Sequence, residues 1–595
     1  MTAPTRQRLR GLFQPKVGGS LGDLCDLDHA AEVVRAYHER TKHHLQGYAL
    51  GPDTLDWDAQ PDPFRTWAGA PLSMLPLMAD EGSGTWAEVQ AGRVSPAPLA
   101  RRGVAQLLEL SLGITAWKQL GPDRWALRAN PSSGNLHPTE AYVLAQDVPG
   151  LPDGLFHHDA RLHALACRAL GRCLPTGITH PAGPALWVGL SSVMWREAWK
   201  YGERAFRYAE LDIGHAVGAV RVAAATLGWR ARWWPGLSHA ELAARMGLDR
   251  DADFGEAERE EPQGLLAIWP ADAPPPVAPP GPWSPDTTWM GQANVLDRHP
   301  LYRWPVIDEV VQATRLARPD PLSTPAAEGG VPALAPTWPG LQPFALDIDG
   351  ADAPGAAWPA ARLIRGRRSA QRFDHRAVMP LAAFVRLLDA IQTRQRLPWD
   401  VWPHAPRVHA VVYAHRVDGL PAGAYLLPRG ADGADPLVAA LTAGQCRPVA
   451  GLPAGLALMQ LAEHPALAGT VRTLSCHQAI GSDACVAFSL VADLGTPVAP
   501  DATSYRTVLQ EAGLLGQALY LQAEAEGLRG TGIGCYFDDA VHELLGLRDP
   551  AWQVVYHFTV GLPLTDARLQ TQAPYDDQRM ALDTPFDPPV PVASV

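Results

Sequence analysis

Leu127-Arg128-Ala129-Asn130-Pro131-Ser132-Ser133-Gly134-Asn135-Leu136-His137-Pro138 is the stretch on which the reading of this chain turns. It is short, polar and dense in Pro, Ser, Gly and Asn, and the strand-like Ala141-Tyr142-Val143-Leu144 follows it at once. Two serines after a proline are candidates for the N-cap of a helix, where their hydroxyls satisfy orphan backbone amides. A helix start also presents bare N–H groups and a positive dipole end, a seat for electron-rich ligand oxygens. An ordinary capped turn has the same composition, so the stretch needs its context.

That context begins with what the whole chain excludes. Its 595 residues exceed one ordinary core, and length alone suggests two to four domains. A hydrophobic content of 47% with 19% charged residues describes a globular protein and not a disordered one. The net charge of −12 argues against a general binder of nucleic acid or anionic membrane, which carries the opposite sign. Seven scattered cysteines without a CxxC read as reduced thiols of a cytoplasmic protein. No apolar run approaches the ~20 residues that span a bilayer, and the basic start MTAPTRQRLR lacks the apolar core of a signal peptide. His404, His409 and His415 lack a Cys or carboxylate at ligand spacing, so no metal is expected.

Working outward, Asp28 to Thr41 is amphipathic at helical spacing, and Leu99 to Leu112 reads as a second helix. The aromatic stretch 48–67 is expected to be ordered by packing of Trp57, Phe64 and Trp67. Residues 151–165 read as a hairpin, 185–190 as a buried strand, Tyr208 to Leu227 as a long helix, and 229–234 as a strand before the short helix HAELAARMGL. From Pro270 the chain becomes proline-rich and aperiodic apart from the helix-like Val306–Leu316, which marks a semi-rigid linker. Its tryptophans (Trp283, Trp289, Trp304, Trp338) suggest that it packs on a surface. The reading is a first domain over 1–270, a linker over 271–345 and a second domain over 346–595.

The second domain repeats the first. Arg207, Gly214, Gly228 and Gly247 are answered by Arg506, Gly513, Gly527 and Gly546, each pair separated by 299 residues (506−207 = 299). AARMGL answers HELLGL, and LPDGLF at 151 answers LPAGAY at 420. One such coincidence means little; four at one offset indicate an internal duplication, with the copies packed as a pseudo-dimer inside one chain.

With the duplication in place the motifs acquire a direction. PSSGNLHP resembles the Pro-Ser-Ser/Ala-x-Asn-x-x-Pro loop of the nitroreductase-like flavoproteins, which lies against the isoalloxazine of FMN. Leu363-Ile364-Arg365-Gly366-Arg367-Arg368-Ser369-Ala370-Gln371-Arg372-Phe373 is by itself a solvated charge run or a phosphate cluster of guanidinium forks. It is similar to the segment that holds the FMN phosphate and ribityl chain in that family, with Gln371 departing from the usual basic residue. The Gly-rich Leu528–Cys535 resembles the family's turn beside the flavin, and Val560-Gly561-Leu562-Pro563 with Arg568 its terminal GxP…R segment. Trp199-Lys200-Tyr201-Gly202-Glu203-Arg204-Ala205-Phe206-Arg207-Tyr208 resembles the KYGERxxRY signature of the SagB-type dehydrogenases, the azoline oxidases of peptide maturation. There the Lys–Tyr pair is associated with proton removal, and a tyrosine beside an ammonium has a lowered pKa and can act as a base.

The resemblance implies an α+β fold, a duplicated nitroreductase-like unit whose mostly antiparallel central sheet is flanked by helices. It implies an FMN-dependent oxidoreductase that transfers hydride at flavin N5, with Pro131, Ser132, Ser133 and Asn135 at the ring and Arg367, Arg368, Ser369, Gly532, Gly534 and Arg568 at the ribityl phosphate. Lys200 and Tyr201 would be catalytic. The first copy keeps PSSGN but offers only His38–His43 in place of RRSxxRF, and the second keeps RRSAQRF but has Leu397–Pro406 where the loop belongs. Surviving halves of two sites imply one composite site per chain. An azoline-containing peptide or a small molecule reduced with NAD(P)H are both open as substrates, and a flavin-free binding scaffold or a flavin carrier are the rival readings. Ser475-Cys476-His477-Gln478, read as a strand, would point its Cys and His to opposite faces and is not expected to be catalytic.

Overall fold

The computed structural model describes residues 27–78, 84–173, 183–315, 352–393, 396–429, 434–441, 446–453, 456–495 and 501–575. The fold is α+β and duplicated. In the first half seven antiparallel strands lie in the order Leu72–Met74, Ala164–Leu170, Gly154–Asp159, Thr139–Gln146, Ala185–Ser192, Glu261–Pro270, Trp229–Trp234. In the second half the order is Arg447–Pro448, Met459–Glu463, Gly423–Leu427, Val408–Ala414, Val486–Asp493, Trp552–Gly561, Arg529–Ile533. From the second position on the two orders follow the same chain path, as duplication requires; the outer edge strand differs, since Leu72–Met74 comes before the rest of its sheet in the chain and Arg447–Pro448 lies between Gly423–Leu427 and Met459–Glu463. The central strands are buried along their whole length, which is why they read as nearly continuous Ala, Val and Leu runs and not as alternating ones.

Each half places one long helix in the middle of the molecule, Ala205–Ala225 and Ser504–Ala525. Every residue of the first is buried, so the helix is apolar all round except where a buried charge finds a partner. The two helices cross at the glycines that the duplication aligns. A Cβ on Gly214 would stand 1.9 Å from the Gln510 carbonyl, and one on Gly513 would stand 2.0 Å from that of Leu211. Any larger residue forces the axes apart, so the repeated glycine marks the crossing of the pseudo-dimer.

The repeated arginines complete the reciprocity. Arg207 reaches into the second half, to Asp538 at 3.0 Å and the Tyr536 hydroxyl at 2.7 Å. Arg506 reaches into the first, to Glu210 at 3.1 Å and Glu261 at 2.8 Å. Each charge is buried and paired, and removing one partner would strand the other in a dry interior. Gly247 and Gly546 both end a helix in the left-handed region (φ 66° and 68°), which explains why glycine recurs there.

Several local expectations need correction. Ser132 and Ser133 do not cap an α-helix: the loop makes one 3-10 turn, Ser133–Asn135, without a side-chain cap bond and then enters the strand Thr139–Gln146. The Gly-rich 529–533 is an edge strand and not a turn. Phe64 and Trp67 pack inside, but Trp57 is 60% exposed. Residues 271–304 lie along the first half: the Trp283 indole donates to the Arg245 carbonyl, and Trp289 fills the space a side chain at Gly247 would need. Trp338 lies outside the described residues. The C-terminal strand Gln570–Gln572 crosses back to pair with Ile114–Leu120 of the first half.

Candidate functional site

Between the halves lies a cavity of about 460 Å³, within the size range of small-molecule and cofactor sites. The first half supplies its Asn130–Asn135 loop, the Tyr208–His215 face of its long helix, and Lys118 from the Ile114–Leu120 strand. The second half supplies Arg367–Gln371, the strand from Arg529 to Gly534, and Tyr520 and Tyr556.

The loop is braced from within. Ser132 Oγ accepts the His137 N–H at 2.8 Å, Asn135 donates to the Ala126 carbonyl at 2.9 Å, and Asn135 Oδ1 meets His137 Nε2 at 3.0 Å. Gly134, Asn135 and His137 all hold positive φ, so the turn is tighter than ordinary residues prefer. Ser133 is fixed from below, its N–H and hydroxyl donating to the Asp212 carboxylate at 3.1 Å each. Tyr201 and Lys200 stand over Gly134, where a Cβ would lie 2.5 Å from the phenol oxygen and 3.1 Å from the Lys200 Nζ.

Electrostatics divides the cavity. Around the loop the charges are carboxyls in a dry environment. Burial raises Asp212 to about 7 despite its bonds to the two serines. Glu197, one helical turn before Lys200, is fully buried with neither carboxylate oxygen hydrogen-bonded among the described residues. Burial, then repulsion from Asp212, pushes its pKa well above the ordinary value. Burial also lowers Lys200 and raises Tyr201 well above an ordinary phenol, with the Glu197, Tyr208 and Asp212 charges adding to the latter. The expectation of an acidified Tyr201 is therefore reversed: buried carboxyls and desolvation outweigh the neighbouring ammonium, so the phenol is a proton donor at neutral pH.

The other end is cationic. Arg367 is buried, donates to the Ala129 and Arg128 carbonyls at 3.1 and 3.0 Å, and keeps Nη1 without a partner among the described residues. Arg368 bonds Thr115 of the first half. Burial and then the charges of Arg367 and Arg529 lower its pKa to about 10. Burial, Arg368 and Arg529 likewise lower Lys118. Four mutually repelling cations around one space, with Glu524 the carboxylate that answers them, make a site for a multivalent anion.

Of the residues expected from sequence, Pro131, Ser132, Ser133, Asn135, Tyr201, Arg367, Arg368, Ser369, Gly532 and Gly534 line this one cavity, and Lys200 adjoins it. Arg568 does not: it is exposed and paired with Asp566 at 2.6 Å. Ser369 bonds the Tyr520 hydroxyl at 2.8 Å, and Phe373 packs in a small core against Ala484. Tyr208, Asp212 and His215 were missed. They stand at i, i+4 and i+7 of the helix Ala205–Ala225, a polar stripe that helical periodicity could have flagged.

The positions that answer to this cavity's wall under the repeat carry larger, paired side chains. Gly532 answers to Trp233 (532−233 = 299), whose indole packs 6.1 Å from Trp402. Arg529 answers to Arg230, which pairs at 3.2 Å with Asp400, as Arg221 does at 2.7 Å. Both Trp402 and Asp400 belong to the 397–406 segment.

Comparison with known proteins agrees with the architecture. Residues 364–562, within the second half, match the model of the Nitroreductase family. Over the whole chain, the crystal structure of an Anabaena variabilis protein named as a nitroreductase superposes with a TM-score of 0.63 at 21% identity, covering 89% of this chain and 99% of that one. It shares the two-half fold. A Methanocaldococcus jannaschii protein also named as a nitroreductase is 25% identical over 138 residues, 22% of this chain and 66% of its own length. The E. coli microcin synthetase McbBCD complex with truncated pro-MccB17 bound gives a TM-score of 0.25 at 16% identity, over 41% of this chain and 94% of that one. Among the described residues no helix is long and apolar enough to cross a membrane, and no group of His, Cys, Asp and Glu could hold a metal ion.

Proposed function

We propose that this chain is an FMN-dependent oxidoreductase with a single composite flavin site in the cavity between its halves. The observation that carries the reading is the cation cluster of Arg367, Arg368, Arg529 and Lys118 at one end of that cavity, with a buried guanidinium nitrogen on Arg367 that has no partner among the described residues. Such a cluster is stable when a dianion joins it, and a flavin mononucleotide phosphate is one. Lys118 comes from the first half and the arginines from the second, so neither half builds the cluster alone. The Pro131–Asn135 loop, braced by Asp212, fits the rigid wall a planar ring needs. Trp233 standing at the repeat position of Gly532, packed on Trp402, supports one flavin per chain.

When bound, FMN supplies hydride transfer. The chain's part is to hold and move protons: Tyr201 keeps its proton and donates, and Lys200, with its ammonium destabilised by burial, is the more accessible base. This reading retains the Lys200–Tyr201 pair as catalytic and reassigns its acid. The KYGERAFRY likeness favours an azoline-containing peptide oxidised at this pair; a small molecule reduced with NAD(P)H is the second substrate class.

The test is the visible spectrum and flavin content of the purified chain, expected at about one FMN per chain. Lys118→Ala should weaken FMN by about tenfold, the value of one charge-assisted contact, and leave riboflavin, which lacks the phosphate, unchanged. Failure to bind flavin after incubation with FMN would establish the scaffold reading instead.

A further inference from the structure

The two long helices touch at Gly214 and Gly513 and part beyond them. One turn on, Gly218 faces Gln517, its repeat partner (517−218 = 299), and a Cβ on Gly218 would stand 2.8 Å from Gln517 Cγ. Two turns on stand Val222 and Leu521, partners again (521−222 = 299). Here a second cavity of about 520 Å³ opens between the halves, and it shares no lining residue with the first. The first half closes it with the helix Trp86–Gln90, the second with the helix Leu381–Ala390 and with Leu397 and Pro398. The space is far larger than the water-sized voids of a packed interior, and it falls within the range of small-molecule sites.

Its walls are chemically divided. Val222, Leu397, Pro398 and Leu521 give water nothing to bond. The charges inside are answered in pairs: Arg386 donates to both oxygens of Glu526 at 2.7 Å each, and Arg396 pairs with Asp389. Arg93 stands exposed at the rim, where water serves it. Gln517 differs from all of these. It lines the cavity, it is 2% exposed, and its Oε1 has no hydrogen-bond partner among the described residues. A dry, unpaired amide is costly, whereas one that meets a partner is not. The repeat places glycine opposite, which leaves room for the Gln517 stem and puts this amide on one side of the space alone.

We propose that this second cavity is a binding site for a neutral amphipathic molecule with a ring-sized apolar body and a hydroxyl that bonds the Gln517 amide. The apolar body follows from the walls: it covers Val222, Leu397 and Leu521, surface that water leaves unsatisfied, and meets the buried Trp86 beside them. Neutrality follows from the pairing of the buried charges, since an ion placed among them would have to displace Glu526 or Asp389 from its guanidinium. The hydroxyl follows from Gln517, because a hydroxyl both donates and accepts and so answers either edge of an amide. Both halves build the site, and it does not depend on what the first cavity holds.

The experiment uses the full-length protein and the probe 6-bromo-2-naphthol, measured by equilibrium dialysis with and without excess FMN and located in a crystal by the anomalous signal of its bromine. The expected result is a single probe per chain, indifferent to FMN, with the bromine among Trp86, Leu397 and Leu521. A matched probe, 2-bromo-6-methylnaphthalene, carries a methyl group where the first carries its hydroxyl. Gln517→Leu should reduce the preference for the hydroxyl probe over the methyl probe by about tenfold, the worth of a hydrogen bond to an otherwise unpaired buried amide. Ala91→Trp, at the exposed rim of the cavity, takes up part of the space and should weaken both probes together. Failure to bind, binding only at crystal concentration, bromine in the first cavity, displacement by FMN, or a Gln517→Leu variant with the wild-type preference would overturn the assignment. The wild-type dialysis and the bromine position decide the matter even where a variant fails to fold.

Discussion

Asp212→Asn removes a carboxyl that the fold holds protonated far above its ordinary range, and the consequence is a change in how stability depends on pH. The group titrates at 3.8 in an unfolded chain and at about 7 in the folded one, because burial outweighs the hydrogen bonds from Ser132 and Ser133. Between those values the native state binds the extra proton, so stability falls as pH rises through the window and levels off above about 7. The whole displacement corresponds to roughly 4 kcal/mol, of which ~3 kcal/mol falls between about pH 4.5 and about pH 7.5. An unfolding entropy of about 2.1 cal/mol/K per residue, over 595 residues, converts that into a melting shift of ~2–3 °C for halves that melt together. Scanning calorimetry at constant ionic strength should therefore show the wild type losing ~2–3 °C relative to Asp212→Asn across that window. Other carboxyls cancel in the comparison, except Glu197, which is repelled by Asp212 and adds to the difference with the same sign. Parallel melting curves for the two proteins would refute the reasoning, since they would mean that Asp212 ionises as easily inside as outside.

Three further outcomes follow from other parts of the molecule. Gly214→Ala or Gly513→Ala should each destabilise by about 1–3 kcal/mol or more, read as a lower melting temperature, and the double variant should cost less than the sum because both act at one crossing. Asp400→Ala strands the buried Arg221, while the half-exposed Arg230 is left to water, and should cost about 3 kcal/mol, without raising the flavin content above one per chain; a second flavin would mean that the counterpart site is still functional. Tyr201 should remain a phenol at pH 10, so the ultraviolet difference between wild type and Tyr201→Phe should show no tyrosinate there; ionisation at or below that pH would restore it as a base.

The fold was legible to an unusual depth because duplication writes the same constraint twice. Gly214 and Gly513 recur because two backbones touch, Gly247 and Gly546 because a helix ends in the left-handed region, and Arg207 and Arg506 because each half must hold the other. Helix and strand assignments followed from periodicity, a local property. The loop at 131–135 and the arginines at 367–368 were legible as site residues through their resemblance to a family. Errors arose where local chemistry was read without its surroundings: serines expected to cap a helix instead brace a turn and meet Asp212, and Arg568 turns outward to Asp566.

By itself, then, the amino-acid sequence determined the duplicated α+β plan and the set of residues able to bind an anion and handle protons, because backbone preference and side-chain type act within a few residues. Only the tertiary structure decided which of them share one cavity. The Asp212 carboxyl meets a serine 79 residues away, Arg367 reaches a carbonyl 238 residues away, and Gln478 reaches the Cys535 carbonyl 57 residues on. Protonation was decided there too: Glu197, Tyr208 and Asp212 surround Tyr201 only in the folded chain, and desolvation is a property of the packed interior that no run of neighbours contains.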